Sequence, residues 1–306
     1  MAKTWTPIKG VIPPMITPFD EHGEINQRAF IHNLEKWNAD KLAGYLVIGS
    51  NSETAFLTTE EKLALVKLAA AYRQPGRHLM AGTGCESLRA TIAFTQACAD
   101  LGAQSALVLT PHYYDRVMDS EHLVRFYTQV ADRSPIPILI YNVPMFTHVN
   151  IAPDAIEILS RHPNIVGMKD STGNMPQLAT FLRVADEGFQ IFVGTASAWY
   201  PALCMGVKAG ILALANCLPN DCALVQEAYE QGNLDQAFTL YQALYPVNNA
   251  VTTQYGVPGL KYACDQAGYI GGLVRSPLLP PSDAAKAHIR QVLDEANVKI
   301  QSIKDD

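Results

Sequence analysis

The sequence predicts an α/β fold, an eight-stranded (β/α)8 TIM barrel followed by a C-terminal helical domain. Three observations carry this expectation. Short apolar or β-branched runs recur at intervals of roughly 25 to 35 residues, and the segments between them carry apolar residues at three- and four-residue spacing, the alternation of stacked βα units. No Gly-x-Gly-x-x-Gly follows the first run, which speaks against a doubly wound dinucleotide fold. Beyond about Asn220 the strand-like runs stop while helical periodicity continues.

In chain order, strands are expected at residues 10–16, 44–48, 78–81, 105–109, 136–141, 165–169, 189–193 and 209–214. Helices are expected between them at 29–38, 59–71, 88–101, 120–131, 155–160, 177–186 and 198–205. Their starts are marked chemically. Thr58-Thr59-Glu60-Glu61 joins a capping hydroxyl to carboxylates in the first turn, where they face the positive end of the helix dipole, and Ser120 and Pro153-Asp154 precede later helices. Four further helical patterns, at 223–230, 234–244, 257–267 and 282–300, divide the chain into a barrel of residues 1–222 and a helical domain of residues 223–306.

Composition narrows the function. The 306 residues are 48% hydrophobic and 17% charged, ample for a large core. A net charge of −6, a pI near 5.7 and the lack of any basic block make nucleic acid an unexpected partner. No apolar stretch approaches the ~20 residues of a membrane helix. The opening Met1 to Pro7 lacks the apolar core of a signal peptide, so the expectation is no membrane association and a cytoplasmic location. The six cysteines form no Cys-x-x-Cys pair and read as packed thiols; the eight histidines show no metal-binding spacing, so no metal is expected.

In a barrel of this kind the carboxyl ends of the strands carry the site. Here they offer Gly49-Ser50-Asn51-Ser52-Glu53, Thr110-Pro111-His112-Tyr113-Tyr114, Tyr141-Asn142-Val143-Pro144, Lys169-Asp170-Ser171 and Gly194-Thr195. A lysine after an apolar run more often marks an exit to solvent, and a tyrosine there is more often a core aromatic. Together on consecutive parallel strands, however, Lys169 and Tyr141 emerge side by side. An amine withdrawn from water is available to attack a ketone, and a neighbouring phenol can shuttle its protons. Gly49-Ser50-Asn51 is either an ordinary turn or a small nest of backbone N–H groups and a hydroxyl that holds a carboxylate. A 2-oxo acid fits such a socket.

These motifs, in this order and spacing, resemble the dihydrodipicolinate synthase and N-acetylneuraminate lyase family of Schiff-base class I aldolases over essentially the whole chain. The resemblance implies a homotetramer built as a dimer of dimers, acting on pyruvate or a derived 2-oxo acid without a cofactor. It implies that Lys169 forms the imine and Tyr141 moves protons. Ser50 stands in a hydroxyl relay completed by Tyr114 of a neighbouring subunit. Gly49, Ser50 and Asn51 would hold the substrate carboxylate, with Ser171, Gly194, the Ile211 main chain and Phe146 around the rest of the pocket.

Two departures bear on the substrate. Ser52 stands where members more often have glycine, and Phe146 stands where dihydrodipicolinate synthases place an arginine that grips the second substrate's carboxylate. The latter weighs against lysine biosynthesis. The Gly-Ser-Asn form of the carboxylate loop, together with residues 162–171 and Tyr255-Gly256-Val257-Pro258-Gly259-Leu260-Lys261 with Gly268-Tyr269, looks most like 4-hydroxy-2-oxoglutarate aldolases, which release pyruvate and an aldehyde such as glyoxylate. The alternatives are 4-hydroxy-tetrahydrodipicolinate synthase, a sugar-acid aldolase or dehydratase, N-acetylneuraminate lyase and, outside catalysis, a ligand-sensing paralogue.

Overall fold

Successive side chains of a strand point to opposite faces, and this alternation sorts the apolar residues into two shells. Ile12, Leu46, Met80, Leu107, Leu139 and Phe192 fill the barrel interior, while Val11, Tyr45, Leu79, Val108, Ile140 and Ile191 belong to the larger core shared with the surrounding helices. The computed structural model describes residues 5–305; of the opening segment read above, Met1 to Thr4 lie outside the described residues.

The strands are β1 (Gly10–Ile12), β2 (Gly44–Val47), β3 (His78–Gly82), β4 (Ser105–Leu109), β5 (Ile138–Asn142), β6 (Ile165–Asp170), β7 (Gln190–Val193) and β8 (Ala209–Ile211). From β2 to β8 each strand pairs in parallel with the next in chain order, and β8 pairs in parallel with β1. Across the remaining seam Ala43 N donates to Val11 O and Met15 N to Leu46 O, both at 2.9 Å, which closes the ring. β1 ends earlier than expected because Pro13 and Pro14 have no N–H for the ladder, and Pro135 and Pro137 delay β5 for the same reason. β8 stops at Ile211, and the chain turns through a 3-10 segment, Ala213–Asn216.

The helices between strands are α1 (Gln27–Asn38), α2 (Thr59–Tyr72), α3 (Leu88–Asp100), α4 (Ser120–Arg133), the single turn α5 (Pro144–Thr147), α6 (Pro153–Leu159), α7 (Met175–Val184) and α8 (Trp199–Cys204). After β8 come α9 (Pro219–Glu230), α10 (Leu234–Asn248), a π-helical segment (Asn249–Gln254), α11 (Gly256–Gln266) and α12 (Asp283–Asp305). The start of α2 is a full capping box: Thr58 Oγ1 accepts from Glu61 N, and Glu61 Oε2 accepts from Thr58 N at 2.8 Å. Among the described residues no helix is long and apolar enough to cross a membrane.

One irregularity positions the chemistry. Ile138 pairs with Ile165, but the next pair is Leu139 with Gly167, so Val166 is an extra residue, a β-bulge. A regular ladder would set Tyr141 opposite Met168 and turn Lys169 out of the barrel. With the bulge, Tyr141 pairs with Lys169, and Met168 packs outward instead. Gly167 sits where a Cβ would lie 2.2 Å from Gln190 O, so β7 approaches the kinked strand through a gap only glycine leaves.

Candidate active site

β5 and β6 deliver Tyr141 and Lys169 to the same mouth. Lys169 Nζ lies 3.4 Å from Tyr141 Oη and 4.5 Å from its ring centroid, and Ser50 Oγ lies 3.4 Å from the same phenol oxygen. Contacts of this length are loose, as catalytic hydrogen bonds are before substrate draws them together. Lys169 is 3% exposed and Tyr141 6%. Burial alone would push the phenol up, yet the adjacent Lys169 charge, with hydrogen bonds to Ser50, Ser171 and Lys169, more than offsets it and holds Tyr141 below its ordinary value. A phenol so tuned gives up its proton more readily than a free tyrosine.

The ends of these strands are pinned. The buried Asp170 carboxylate accepts from Asn142 Nδ2 at 2.8 Å and Thr172 Oγ1 at 2.6 Å, while burial raises its pKa against both bonds. Ser171 N donates to Asn142 O, and Gly194 N to Asp170 O. The rim of β5, β6 and β7 is therefore one hydrogen-bonded unit.

The loop after β2 forms the expected turn. Gly49 is extended, Ser50–Ser52 make a 3-10 turn, and Glu53 takes the left-handed region at φ 57°. Thus Ser52, the residue that departs from the family pattern, needs no special backbone angle. Its hydroxyl points away from chemistry, donating to Met15 O at 2.5 Å, while Thr17 Oγ1 donates to Ser52 O at 2.9 Å.

A cleft of about 420 Å³ opens over Lys169. It brings together Ser50, Asn51, Tyr141, Lys169, Ser171, Gly194 and Phe146 of the expected residues. Ser171 Oγ is buried beside the Tyr141 phenol, which it helps to tune, and lines the cleft within reach of a substrate oxygen. Three expected residues fall elsewhere. The Ile211 side chain packs in the barrel interior, and Ala213, two residues beyond the end of β8, is the residue from this part of the chain that lines the cleft. Gly49 stands behind the turn, where a Cβ would meet the Leu46 side chain at 3.1 Å. Tyr114 is 71% exposed and outside the lining, its ring edge-on to Tyr113 with centroids 5.0 Å apart.

The cleft also includes residues that sequence reading missed. Ser197 follows β7, beyond the Thr195 already offered at that strand end, and Val251, Thr252, Thr253, Gly256 and Val257 come from the π-helical segment and the start of α11. The available signal was Pro246 inside a helical pattern, which foretells an irregular helix, followed by a β-branched Val251-Thr252-Thr253 run.

Gly194 supplies a direct test of how tightly the amine is held. A Cβ there would lie 1.9 Å from Ser171 Oγ and 2.9 Å from Lys169 Cε. Gly194→Ala is expected to lower kcat/KM by about 100-fold by displacing the lysine roughly an ångström. Steady-state kinetics beside a melting curve checks this; wild-type kinetics would show that the lysine has slack.

A family model, the Dihydrodipicolinate synthetase family, matches residues 7–296. The chain belongs to this family. A 4-hydroxy-tetrahydrodipicolinate synthase from Thermodesulfovibrio yellowstonii is 31% identical over 290 residues, covering 95% of this chain and 99% of the relative. One from Methanothrix thermoacetophila is 32% identical over 286 residues, covering 93% and 96%. Among solved structures, the 4-hydroxy-tetrahydrodipicolinate synthase of Methylacidiphilum fumariolicum superposes with a TM-score of 0.91 at 25% identity, covering 97% of this chain and 99% of that one. Family membership makes the protein an enzyme, a pyruvate-dependent lyase of the class I aldolase type.

Proposed function

We propose that Lys169 is the Schiff-base lysine, and that the protein cleaves a 4-hydroxy-2-oxo acid, such as 4-hydroxy-2-oxoglutarate, to pyruvate and an aldehyde such as glyoxylate. The observation that carries the chemistry is an amine 3% exposed and 3.4 Å from a phenol oxygen. Lys169 Nζ attacks the 2-oxo carbon and water leaves, giving an iminium. Tyr141 accepts the proton of the 4-hydroxyl, the C3–C4 bond breaks into the iminium, and the aldehyde departs. Protonation of the enamine at C3 and hydrolysis then release pyruvate. The iminium is itself the electron sink, so this reading requires no cofactor. Ser50 and Asn51 hold the carboxylate nearest the imine, Ser50 also relaying protons to Tyr141.

The lining bears on the partner aldehyde. Val143, Met145 and Phe146 make one apolar wall, and Lys169 is the only cationic side chain among the described residues lining the cleft. The hydroxyls of Thr195, Ser197, Thr252 and Thr253 are left to hold the distal part of the substrate through neutral hydrogen bonds. A second reading, 4-hydroxy-tetrahydrodipicolinate synthase, condensing pyruvate with aspartate semialdehyde, is favoured over the first by the names of the curated relatives. Phe146 stands where dihydrodipicolinate synthases place an arginine for the second substrate's carboxylate; the distal carboxylate of 4-hydroxy-2-oxoglutarate is likewise held without a guanidinium, through the neutral hydroxyls of the cleft.

A substrate panel decides. Pyruvate release from 4-hydroxy-2-oxoglutarate, N-acetylneuraminate and deoxy-sugar acids is compared with condensation of pyruvate and aspartate semialdehyde. The expected result is release from 4-hydroxy-2-oxoglutarate; efficient condensation alone would replace the first reading with the second. We also propose a cytoplasmic homotetramer in which Tyr114, exposed and outside its own cleft, enters a neighbour's relay. Residues 1–222 would serve as the catalytic barrel and 223–306 as the helical unit.

A further inference from the structure

The turn that carries Ser50 and Asn51 ends on a buried carboxylate with both oxygens engaged. Glu53 Oε1 accepts from Lys261 Nζ at 2.5 Å and Oε2 accepts from Arg275 N at 2.8 Å. Lys261, 1% exposed on α11, also donates to Leu273 O at 2.5 Å and lies 4.6 Å from the centroid of the Phe19 ring. The Arg275 guanidinium covers the same ring at 4.3 Å and pairs with Glu61 at 2.6 Å. Burial pushes the Lys261 ammonium down to about 8, against the pull of Glu53.

Its placement is unusual for a stability device. Glu53 N donates to Ser50 O at 3.1 Å, closing the turn, and its left-handed φ is one that residues with side chains hold only when their surroundings impose it. Lys261 lies about one turn beyond Gly256 and Val257, which line the far wall of the cleft. One ion pair therefore joins the two walls between which the substrate sits. Buried ion pairs add little net stability over apolar packing of the same volume, and their best-attested use is to specify one geometry.

We infer that Glu53 and Lys261 are positioning residues for pyruvate binding: their ion pair, anchored in the C-terminal helices, holds the Ser50–Asn51 turn where it meets the carboxylate of the 2-oxo acid. This rests on the reading that Lys169 forms the imine while that turn takes the carboxylate. Neither residue lines the cleft, so both act through the turn.

The test uses the full chain and the rate of inactivation by borohydride as a function of pyruvate concentration. Variants are Glu53→Gln, Lys261→Met and the double variant, each with its melting temperature. Glu53→Gln and Lys261→Met are expected to raise half-saturating pyruvate by about 10-fold, the loss of roughly one hydrogen bond's worth of fit. The limiting rate at saturating pyruvate should stay within about threefold, and the double variant should bind no worse than the poorer single, because both break one interaction. A merely structural pair would lower the melting temperature and leave half-saturation unmoved, which overturns the inference. If a lone buried charge prevents either single variant from folding, the double variant, carrying neither charge, decides by the same criterion. Failure of the wild type to be trapped at all would instead overturn the Schiff-base reading.

Discussion

Wild-type protein incubated with pyruvate and borohydride is expected to gain one reduced pyruvyl group at Lys169, and Lys169→Arg none, with kcat falling roughly 10⁴-fold or more, as when a covalent nucleophile is removed. Arginine separates nucleophilicity from charge: its guanidinium stays protonated and has no amine lone pair to attack a carbonyl. Peptide mapping by mass spectrometry locates the adduct; labelling of a different lysine, or turnover surviving in the variant, would remove the basis of the mechanism. The same residue governs the phenol beside it. The Lys169 charge acts to lower the Tyr141 pKa, so Lys169→Met must move the phenol upward, read as a shift of its ultraviolet titration to higher pH.

Tyr141→Phe carries the second large effect. It preserves the ring beneath Lys169 Nζ and removes the one oxygen placed between that amine and Ser50 Oγ, each 3.4 Å away. Loss of a positioned proton carrier is expected to lower kcat by roughly 10² to 10⁴. Because the ring stays, the melting temperature should move little, and borohydride with pyruvate should still label Lys169, more slowly. Full activity in this variant would transfer the proton steps to another group.

Much of the architecture was legible in the chain. Every expected strand is present, as are the helices between and after them, because period-2 and period-3.6 patterns and capping residues are local properties. Errors fell where local rules compete. Pro13, Pro14, Pro135 and Pro137 trimmed strands whose apolar runs looked longer. Lys169, Tyr141, Ser50 and Asn51 were readable because each closes or follows a strand. Val251 to Val257 were not, since nothing in a helical pattern reveals that its end, some 80 residues beyond β6, bends back over the cleft.

The sequence by itself determined which elements form, in what order, and that an amine and a phenol end consecutive strands. It did not determine that they face one another. That depended on a single extra residue, Val166, which shifts the β5–β6 register so that Lys169 rather than Met168 stands opposite Tyr141. Strand faces alternate with a period of two, so a slip of one residue inverts them, and whether the slip occurs is decided by how β5, β6 and β7 pack, with Gly167 admitting Gln190 O at the kink.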